Sequence, residues 1–259
     1  MLEQHADSYR KIRNTFRYLL GNLNHDFKKI DMEKLDLNQL PELEQYMLHK
    51  IYNLNQNYKN YFQSYDFHNL YKELLNFCTV DLSAFYFDIR KDALYCDAKD
   101  SKRRKSSIIV LNIILESLIK WFAPILSFTT EEIYRLIDKD KKSIHLENFM
   151  EFPKVFENTN LHKKWLELKK IRDICNISIE AKRITKEIGS SLESNLIISL
   201  NKNLYEISNQ VDFAELCITS SATVKKSTLE EVMVETKKAT GNKCPVCWKI
   251  TQDKCVRHA

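Results

Sequence analysis

The sequence predicts a mainly α protein that consists of a helical bundle, a small α+β region and a zinc knuckle at the C-terminus. Three observations support this prediction. The 259 residues include only 3 Gly and 4 Pro, a composition typical of long helices with few tight turns. Apolar residues recur with the helical period through the first half of the chain. The last sixteen residues contain three cysteines and one histidine at metal-ligand spacing.

The N-terminal helices are predicted from apolar spacing and from capping residues. A first helix is predicted over Leu2–Leu23, and a polar connector, residues 24–40, separates it from the second. Pro41 suits the first turn of the second helix, which extends to about Gln63. Asp66 can cap a third helix. The pattern therefore predicts three amphipathic helices, each burying one face.

The middle of the chain continues this helical pattern. The segment VDLSAFYFDIRKDALYCD is apolar on most sides, so we expect it to stay helical in the centre of the bundle. DSKRRK begins a fourth helix that ends near Trp121 and Phe122, before Pro124. Thr129 or Thr130, followed by two glutamates, is expected to cap a short fifth helix.

The pattern changes after residue 139. Residues 143–158 have no clear helical period and are predicted to form a loop. A long helix is predicted over Leu161–Ile188, ending at Gly189. Three strand-like runs follow, with a helix expected between the first two: Asn195–Leu200, Phe213–Thr219 and Glu231–Glu235.

These changes of pattern divide the chain into three parts. We assign residues 1–150 to the helical bundle, residues 151–240 to the long helix and α+β region, and residues 241–259 to the knuckle. Met1 opens almost directly into a helix with no preceding element to pack it, so we expect a chain cut from something longer.

Composition limits the class of protein. The formal net charge of +5 permits a polyanionic partner without requiring one. Seven cysteines in a chain with no signal peptide indicate a reducing compartment, and we expect a cytoplasmic monomer. The longest apolar stretch, Ile108–Phe128, is interrupted by Asn112, Glu116 and Lys120, which predicts a buried helix and no membrane span.

Four residues of the tail form a candidate zinc site. Cys244 and Cys247 are separated by two residues, as are Cys255 and His258. Two such pairs can complete a tetrahedral shell, and three thiolates with one imidazole suit zinc, whereas magnesium and calcium prefer oxygen. The alternative is a chance pairing or a redox CxxC, but redox motifs usually lie near a βαβ pattern and lack the second pair.

The sequence favours binding over catalysis. It has no GxGxxG, GxxxxGK[ST] or GxSxG motif and no other catalytic constellation. Three basic clusters are present, each of which on its own is most simply a solvated face but which together could follow an RNA backbone. The clusters are Arg10, Arg13 and Arg17, then Lys102–Lys105, then Lys182, Arg183 and Lys186.

Trp248 directly follows the second cysteine of the candidate zinc site. Two interpretations remain open from the sequence. The ring can cap the small core of the knuckle, or it can be held rigidly by the metal and stack on an unpaired base.

Several strings resemble one family. DSYRKIRNTFRYLLGNLNHDF, YDFHNLYKELLNFCTVDLSAFYFDIRKDALY and LIKWFAPILSFTTEEIY resemble the anticodon-binding helical domain of bacterial isoleucyl-tRNA synthetases. ITKEIGSSLESNLIISL and LCITSSATV resemble their C-terminal contact region, and KCPVCW their terminal zinc module. The resemblance is collinear and covers essentially the whole chain.

The resemblance implies a tRNA-binding part of a class I synthetase that uses ATP to attach isoleucine to its tRNA. HIGH-like and KMSKS-like strings do not occur in this sequence, so catalysis, editing and ATP binding are expected in an N-terminal catalytic region outside it. The family usually closes its zinc site with two CxxC pairs, whereas the second pair here is Cys255 and His258. The alternatives are a freestanding zinc-containing tRNA-binding module and a helical structural protein with an incidental zinc site.

Overall fold

A computed structural model describes residues 2–23, 27–137 and 143–258, which form two units, up to Asn158 and from Thr159 onward. Met1 and residues 24–26, with which the predicted connector begins, lie outside the described residues, as do 138–142 and 259. Within its described residues, the first unit forms the α-helices α1 (Leu2–Leu23), α2 (Glu42–Gln63), α3 (Phe67–Asn76), α4 (Asp88–Cys96), α5 (Lys102–Phe122) and α6 (Ser127–Ile137).

Most helix boundaries in the first unit follow the predicted signals. Pro41 precedes α2, and the Asp66 carboxylate accepts a hydrogen bond from the backbone N–H of Asn69, 3.2 Å away, at the start of α3. The Ser101 hydroxyl accepts from the backbone N–H of Arg104 at 3.1 Å and caps α5. These contacts satisfy N–H groups that have no partner within the helix.

The expected helical continuation after α3 is confirmed, but its type is unusual. Phe77–Phe87 forms a π-helix that joins α3 to α4 in one continuous helical segment. Hydrogen bonds from residue i to i+5 widen the turn, and such segments are generally short and frequent at functional sites. Seven of its side chains are buried, among them Cys78, Phe85 and Phe87, in accord with its apolar sequence.

The fifth predicted helix does not start where the capping residues suggested. That helix, α6, begins at Ser127, so Thr129 and Thr130 lie inside its first turn rather than before it. The Thr130 hydroxyl donates to the carbonyl of Leu126 at 3.1 Å instead of accepting an N–H bond as a cap. A turn after Phe122 therefore starts the helix earlier than the capping residues suggested, with the backbone N–H of Leu126 bonded to the Phe122 carbonyl at 2.7 Å.

Two polar groups organise the core of the first unit. Glu44 and Arg90 are 0% and 2% exposed and form a bidentate ion pair with both N–O distances at 2.6 Å. The hydroxyls of Tyr86 and Ser107 donate to the same Glu44 oxygen at 3.1 and 3.2 Å. Burial raises the pKa of Tyr86 well above its ordinary value, so the phenol stays protonated and remains a donor.

The second unit is a small α+β structure followed by a hairpin. Its elements are α7 (Thr159–Ile184), β1 (Ser194–Leu200), α8 (Lys202–Ile207), α9 (Phe213–Leu216), β2 (Ser221–Lys226), β3 (Met233–Lys238), β4 (Asn242–Lys243) and β5 (Ile250–Thr251). The first three strands form a sheet in the order β2-β1-β3, with β1 parallel to β2 and antiparallel to β3. The side chains of β1 alternate between buried and half-buried, and α7 packs against β1 and β3.

Two predicted elements of this unit are wrong in type or extent. Phe213–Thr219 is not a strand, because the Asp212 carboxylate accepts from the backbone N–H of Glu215 at 3.0 Å and caps the short helix α9. The long helix ends at Ile184 rather than Ile188. Lys186 adopts a φ of 59° and terminates it, so Gly189 is not the stop signal. The predictions of β1, α8 and, with shifted bounds, β3 are confirmed.

The longest apolar stretch, Ile108–Phe128, was predicted to form one buried helix, but it forms the greater part of α5, the turn that follows it and the start of α6. Among the residues that the structure describes, no helix is long and apolar enough to cross a membrane.

We expect Arg90→Leu to destabilise the first unit by about 3–5 kcal/mol, because it leaves the Glu44 carboxylate buried without its counter-ion. The double variant Glu44→Leu with Arg90→Leu should recover much of this loss, since no buried charge remains. Urea unfolding followed by far-ultraviolet circular dichroism measures both. Arg10→Leu, which breaks only an exposed ion pair with Asp7, is the matched control and should change the midpoint little. Equal effects of Arg90→Leu and Arg10→Leu would contradict a structural role for the buried pair.

Candidate metal centre and nucleic-acid interface

The structure brings the four predicted ligands together. One ligand atom each from Cys244, Cys247, Cys255 and His258 lies within 4.8 Å of all the others, and this group could hold a metal ion. The two sulfurs of Cys247 and Cys255 are 3.8 Å apart. The Nδ1 atom of His258 lies 3.5 Å from the Cys244 sulfur and 3.4 Å from the Cys255 sulfur.

These distances fit a tetrahedral ion. Zinc bonds of about 2.3 Å to sulfur and about 2.0–2.1 Å to nitrogen place two sulfurs about 3.8 Å apart, and a sulfur and a nitrogen about 3.5 Å apart. The sulfur–sulfur distance between Cys247 and Cys255 and the two sulfur–nitrogen distances of His258 match these values. His258, which departs from the CxxC pattern, directs a ring nitrogen into the cluster and is therefore placed to complete the shell.

The first pair of ligands is held in the loop of the β4–β5 hairpin. Asn242 pairs with Thr251 and Lys243 with Ile250 across the two strands. Gly241 precedes the hairpin with a φ of 131°, and a Cβ there would lie 2.3 Å from the Thr251 carbonyl oxygen. Only glycine allows this close backbone approach.

The loop closes on itself around Cys244. The backbone N–H of Cys244 donates to the Lys249 carbonyl at 2.9 Å, and the backbone N–H of Trp248 donates to the Cys244 carbonyl at 3.0 Å. Backbone N–H groups near the Cys244 sulfur lower the pKa of that thiol to about 6, whereas burial raises the pKa of Cys247 to about 11. The two thiols of one CxxC turn thus differ sharply in the absence of a cation.

Trp248 lies in the loop between β4 and β5 and is mostly exposed. It adopts a φ of 63°, and its side chain is 59% exposed. The ammonium of Lys243 lies 5.4 Å from the ring centroid, within cation–π range. The arrangement presents an indole ring to solvent on a short, cross-braced loop.

Ser220 ties the hairpin to the three-stranded sheet. Its hydroxyl accepts from the backbone N–H of Ile250 at 2.7 Å and donates to the Leu192 carbonyl through a short hydrogen bond, while its own backbone N–H donates to Ser194 at 3.0 Å. Neither Ser220 nor Lys243 was among the predicted site residues. The signal in the sequence that could have pointed to Ser220 is that it and Leu192 lie in the family-like strings LCITSSATV and GSSLE.

The basic residues of α1 are exposed, but two of the three have acidic neighbours. Arg10 pairs with Asp7 at 2.9 Å, and Arg13 lies 3.8 Å from Glu132 of α6. Arg17 is exposed and has no carboxylate partner among the residues that the structure describes. The predicted basic face of α1 is therefore present, and within the described residues Arg17 is the member of it without a carboxylate partner.

The other two basic clusters are also engaged locally. Arg103 binds Asp97 through two hydrogen bonds of 2.8 and 2.9 Å. At the end of α7, Lys182 pairs with Glu187 at 2.8 Å and Arg183 with Glu180 at 2.7 Å. These cations would have to exchange partners to contact a phosphate.

Comparison with known proteins adds two findings. Residues 44–199 match the family model of the anticodon-binding domain of tRNA ligases. The chain is 76% identical over its full length to an isoleucine–tRNA ligase of Pelagibacter ubique, and 39% identical over 98% of its length to those of Agrobacterium fabrum and Bartonella henselae. It spans 29%, 27% and 27% of the length of these three relatives.

We expect Gly241→Ala to open the β4–β5 hairpin, because the added methyl group meets the Thr251 carbonyl and φ stays in a strained region costing about 1–3 kcal/mol. Amide hydrogen exchange at Cys244 should accelerate. Gly21→Ala in α1 is the matched control: nothing lies within 4 Å of the added Cβ, and alanine favours the helix by up to about 1 kcal/mol. Unchanged exchange at Cys244 in Gly241→Ala would show that the hairpin tolerates the methyl group.

Proposed function

The chain belongs to the family of anticodon-binding domains of tRNA ligases, and from this membership we propose that it is the tRNA-binding part of an isoleucine–tRNA ligase. The parent enzyme would use ATP to attach isoleucine to its tRNA. ATP binding, aminoacylation and editing would belong to its N-terminal catalytic region, and the chain by itself would not aminoacylate. We further propose that it acts in the cytoplasm and as a monomer.

The observation that carries this proposal is the exposed Trp248 ring beside a four-ligand cluster. An aromatic ring on a rigid loop can stack on an unpaired base, and one such contact contributes about 1–3 kcal/mol. Single-stranded loops are the parts of RNA whose bases are free to stack in this way. An anticodon is a loop of this kind, so the family membership and the geometry of the knuckle point to the same ligand.

We propose that Cys244, Cys247, Cys255 and His258 hold one structural zinc ion. The observed sulfur and nitrogen separations support zinc, as does a donor set of thiolates and imidazole. The hairpin is too short to bury a core of its own, and a structural zinc contributes on the order of 10 kcal/mol to the folding of such a module.

The basic residues are proposed to contact the RNA backbone. Arg10, Arg13 and Arg17 would do so from α1, and Lys182 and Arg183 from the end of α7. Phosphate contacts of this kind carry no sequence information but supply affinity that falls as salt rises. Arg17 is the strongest candidate because it has no carboxylate partner to exchange among the described residues.

Purified chain is expected to contain one zinc ion, and Cys244→Ser or Cys247→Ser should abolish its retention, because each removes a thiolate from the tetrahedral shell. Inductively coupled plasma mass spectrometry measures the stoichiometry. Cys96→Ser is the matched control, since Cys96 lies on α4 outside the cluster. His258→Ala tests whether the histidine is the fourth ligand: a lower affinity for zinc indicates a four-ligand site, and an unchanged affinity indicates that the three cysteines suffice. An unchanged zinc content in Cys247→Ser would refute the site.

The zinc-loaded chain is expected to bind isoleucine tRNA more tightly than the same tRNA with a replaced anticodon, at both low and high salt. Trp248→Ala should remove this preference, with a loss of about 5-fold or more for the native anticodon, whereas Trp248→Phe should keep part of it. Filter binding at two salt concentrations measures both effects. Phe128→Ala, which removes another highly exposed ring (94% exposed), is the control.

Equal and steeply salt-dependent binding of the two tRNAs would contradict anticodon reading by this chain. It would instead mean that the basic helices hold RNA without regard to its sequence.

A further inference from the structure

A cavity lies in the first unit, away from the basic face of α1. It is a cleft of about 720 Å³ between α1, the π-helix and α4, and we refer to it as the α1–α4 cleft. Its volume falls within the range of about 300–1,000 Å³ that is typical of small-ligand sites. Nothing in the proposed roles of the knuckle or the basic clusters uses it.

The two helical walls of the cleft carry similar side chains in the same order. Lys11, Asn14 and Tyr18 line it from α1 at positions i, i+3 and i+7. Lys91 and Tyr95 line it from α4 one turn apart. Each wall thus presents a cation toward its N-terminal end and a tyrosine toward its C-terminal end.

The aromatic part of the cleft is rigid on one wall and open on the other. Tyr18 stacks on Phe87, with ring centroids 4.2 Å apart and an angle of 18° between the planes. Tyr95 is 64% exposed, and its hydroxyl lies 3.5 Å from the side-chain nitrogen of Asn22. A flat, apolar ligand can therefore lie against the Tyr95 ring without displacing any core side chain.

The polar part of the cleft suits an anion next to a ring whose edge carries hydrogen-bond donors and acceptors. Lys11 has no carboxylate partner within the described part of the chain. Lys91 pairs with Asp88 at 2.7 Å, and Asp88 also lines the cleft, so the two lysines leave a net charge of about one. Asn14 and Ser83 add an amide and a hydroxyl that can donate and accept.

The thiol that lines the cleft is not activated for covalent chemistry. Cys78 is the thiol that lines it, but burial raises the pKa of Cys78 to about 12 and keeps it protonated. The combination of ring, ammonium and amide therefore indicates binding rather than reaction.

We propose that the α1–α4 cleft binds one unpaired nucleotide of an RNA, with the base stacked on Tyr95 and the phosphate beside Lys11 and Lys91. Aromatic stacking and a backbone-tracking cation are the two elements by which proteins hold single-stranded nucleic acid. Asn14 and Ser83 would meet the edge of the base. This inference rests on the proposed function, since it adds a second RNA contact to a tRNA-binding chain.

The test measures the affinity of the whole chain for isoleucine tRNA and for a short single-stranded oligoribonucleotide. Tyr95→Ala should weaken binding to both by about 5-fold or more, while Tyr95→Phe, which keeps the ring, should restore it. Lys11→Ala should lower the affinity and reduce its salt dependence by about one phosphate contact. Tyr65→Ala and Lys72→Ala are the matched controls, because both side chains are exposed on the first unit outside the cleft.

Photo-crosslinking of RNA that contains 4-thiouridine should additionally label Tyr95 or a neighbouring residue of α4. Wild-type affinity in Tyr95→Ala, with crosslinks only to the knuckle, would overturn the nucleotide site and would favour a protein as the occupant of the cleft. Failure of the wild-type chain to bind tRNA would count against the proposed function, and the oligoribonucleotide would still decide the cleft. The effect of Trp248→Ala on anticodon preference tests the knuckle alone and does not bear on the cleft.

Discussion

The helical unit depends on the buried ion pair between Glu44 of α2 and Arg90 of α4. Both side chains are removed from water, so their desolvation is offset only if the bidentate geometry and the hydroxyl donors of Tyr86 and Ser107 are all in place. This requirement sets the rotation of α4 about its axis. With Arg90 directed into the core, its neighbour Lys91 is directed outward, toward the α1–α4 cleft. The interaction that orders the core therefore also positions one wall of the cleft.

The π-helix supplies the surface between those walls. In a π-helix each turn is wider than in an α-helix, so side chains such as Cys78 and Ser83 take positions that an α-helical continuation would not give them. The sequence of Phe77–Phe87 has apolar residues on most sides and no 3.6-residue period, which predicts a buried helix but does not predict its type. The π-helix packs against α1, which is distant from it in sequence, and a pattern within Phe77–Phe87 alone does not contain this contact.

Whether a feature could be predicted from the sequence depended mainly on whether the residues that determine it lie within one short segment. The ligand set of Cys244, Cys247, Cys255 and His258 follows from spacing within one short segment, and the structure brings these four side chains together. Two elements were nevertheless mispredicted although short-range hydrogen bonds decide them. The turn between Phe122 and Leu126 starts α6 earlier than the threonines suggested, and the Asp212 cap makes a helix of an apparent strand. The anchoring role of Ser220 and the convergence of residues on the cleft join segments far apart in sequence, so no local pattern could have revealed them.

In the proposed role, the tryptophan of the knuckle would bind a base at low entropic cost. Backbone hydrogen bonds of the hairpin and the contacts of Ser220 hold the loop that carries Trp248, so ordering this loop on binding would cost little and more of the stacking energy would appear as affinity. The ammonium of Lys243 lies 5.4 Å from the centroid of the Trp248 ring and would add a positive charge beside the stacked base. The basic residues would act differently, because most of them would have to release an acidic neighbour before they bind phosphate, and their net gain would be correspondingly small. In the proposed role, selectivity would therefore arise from the rigid ring, whereas the paired cations would mainly steer the RNA toward it.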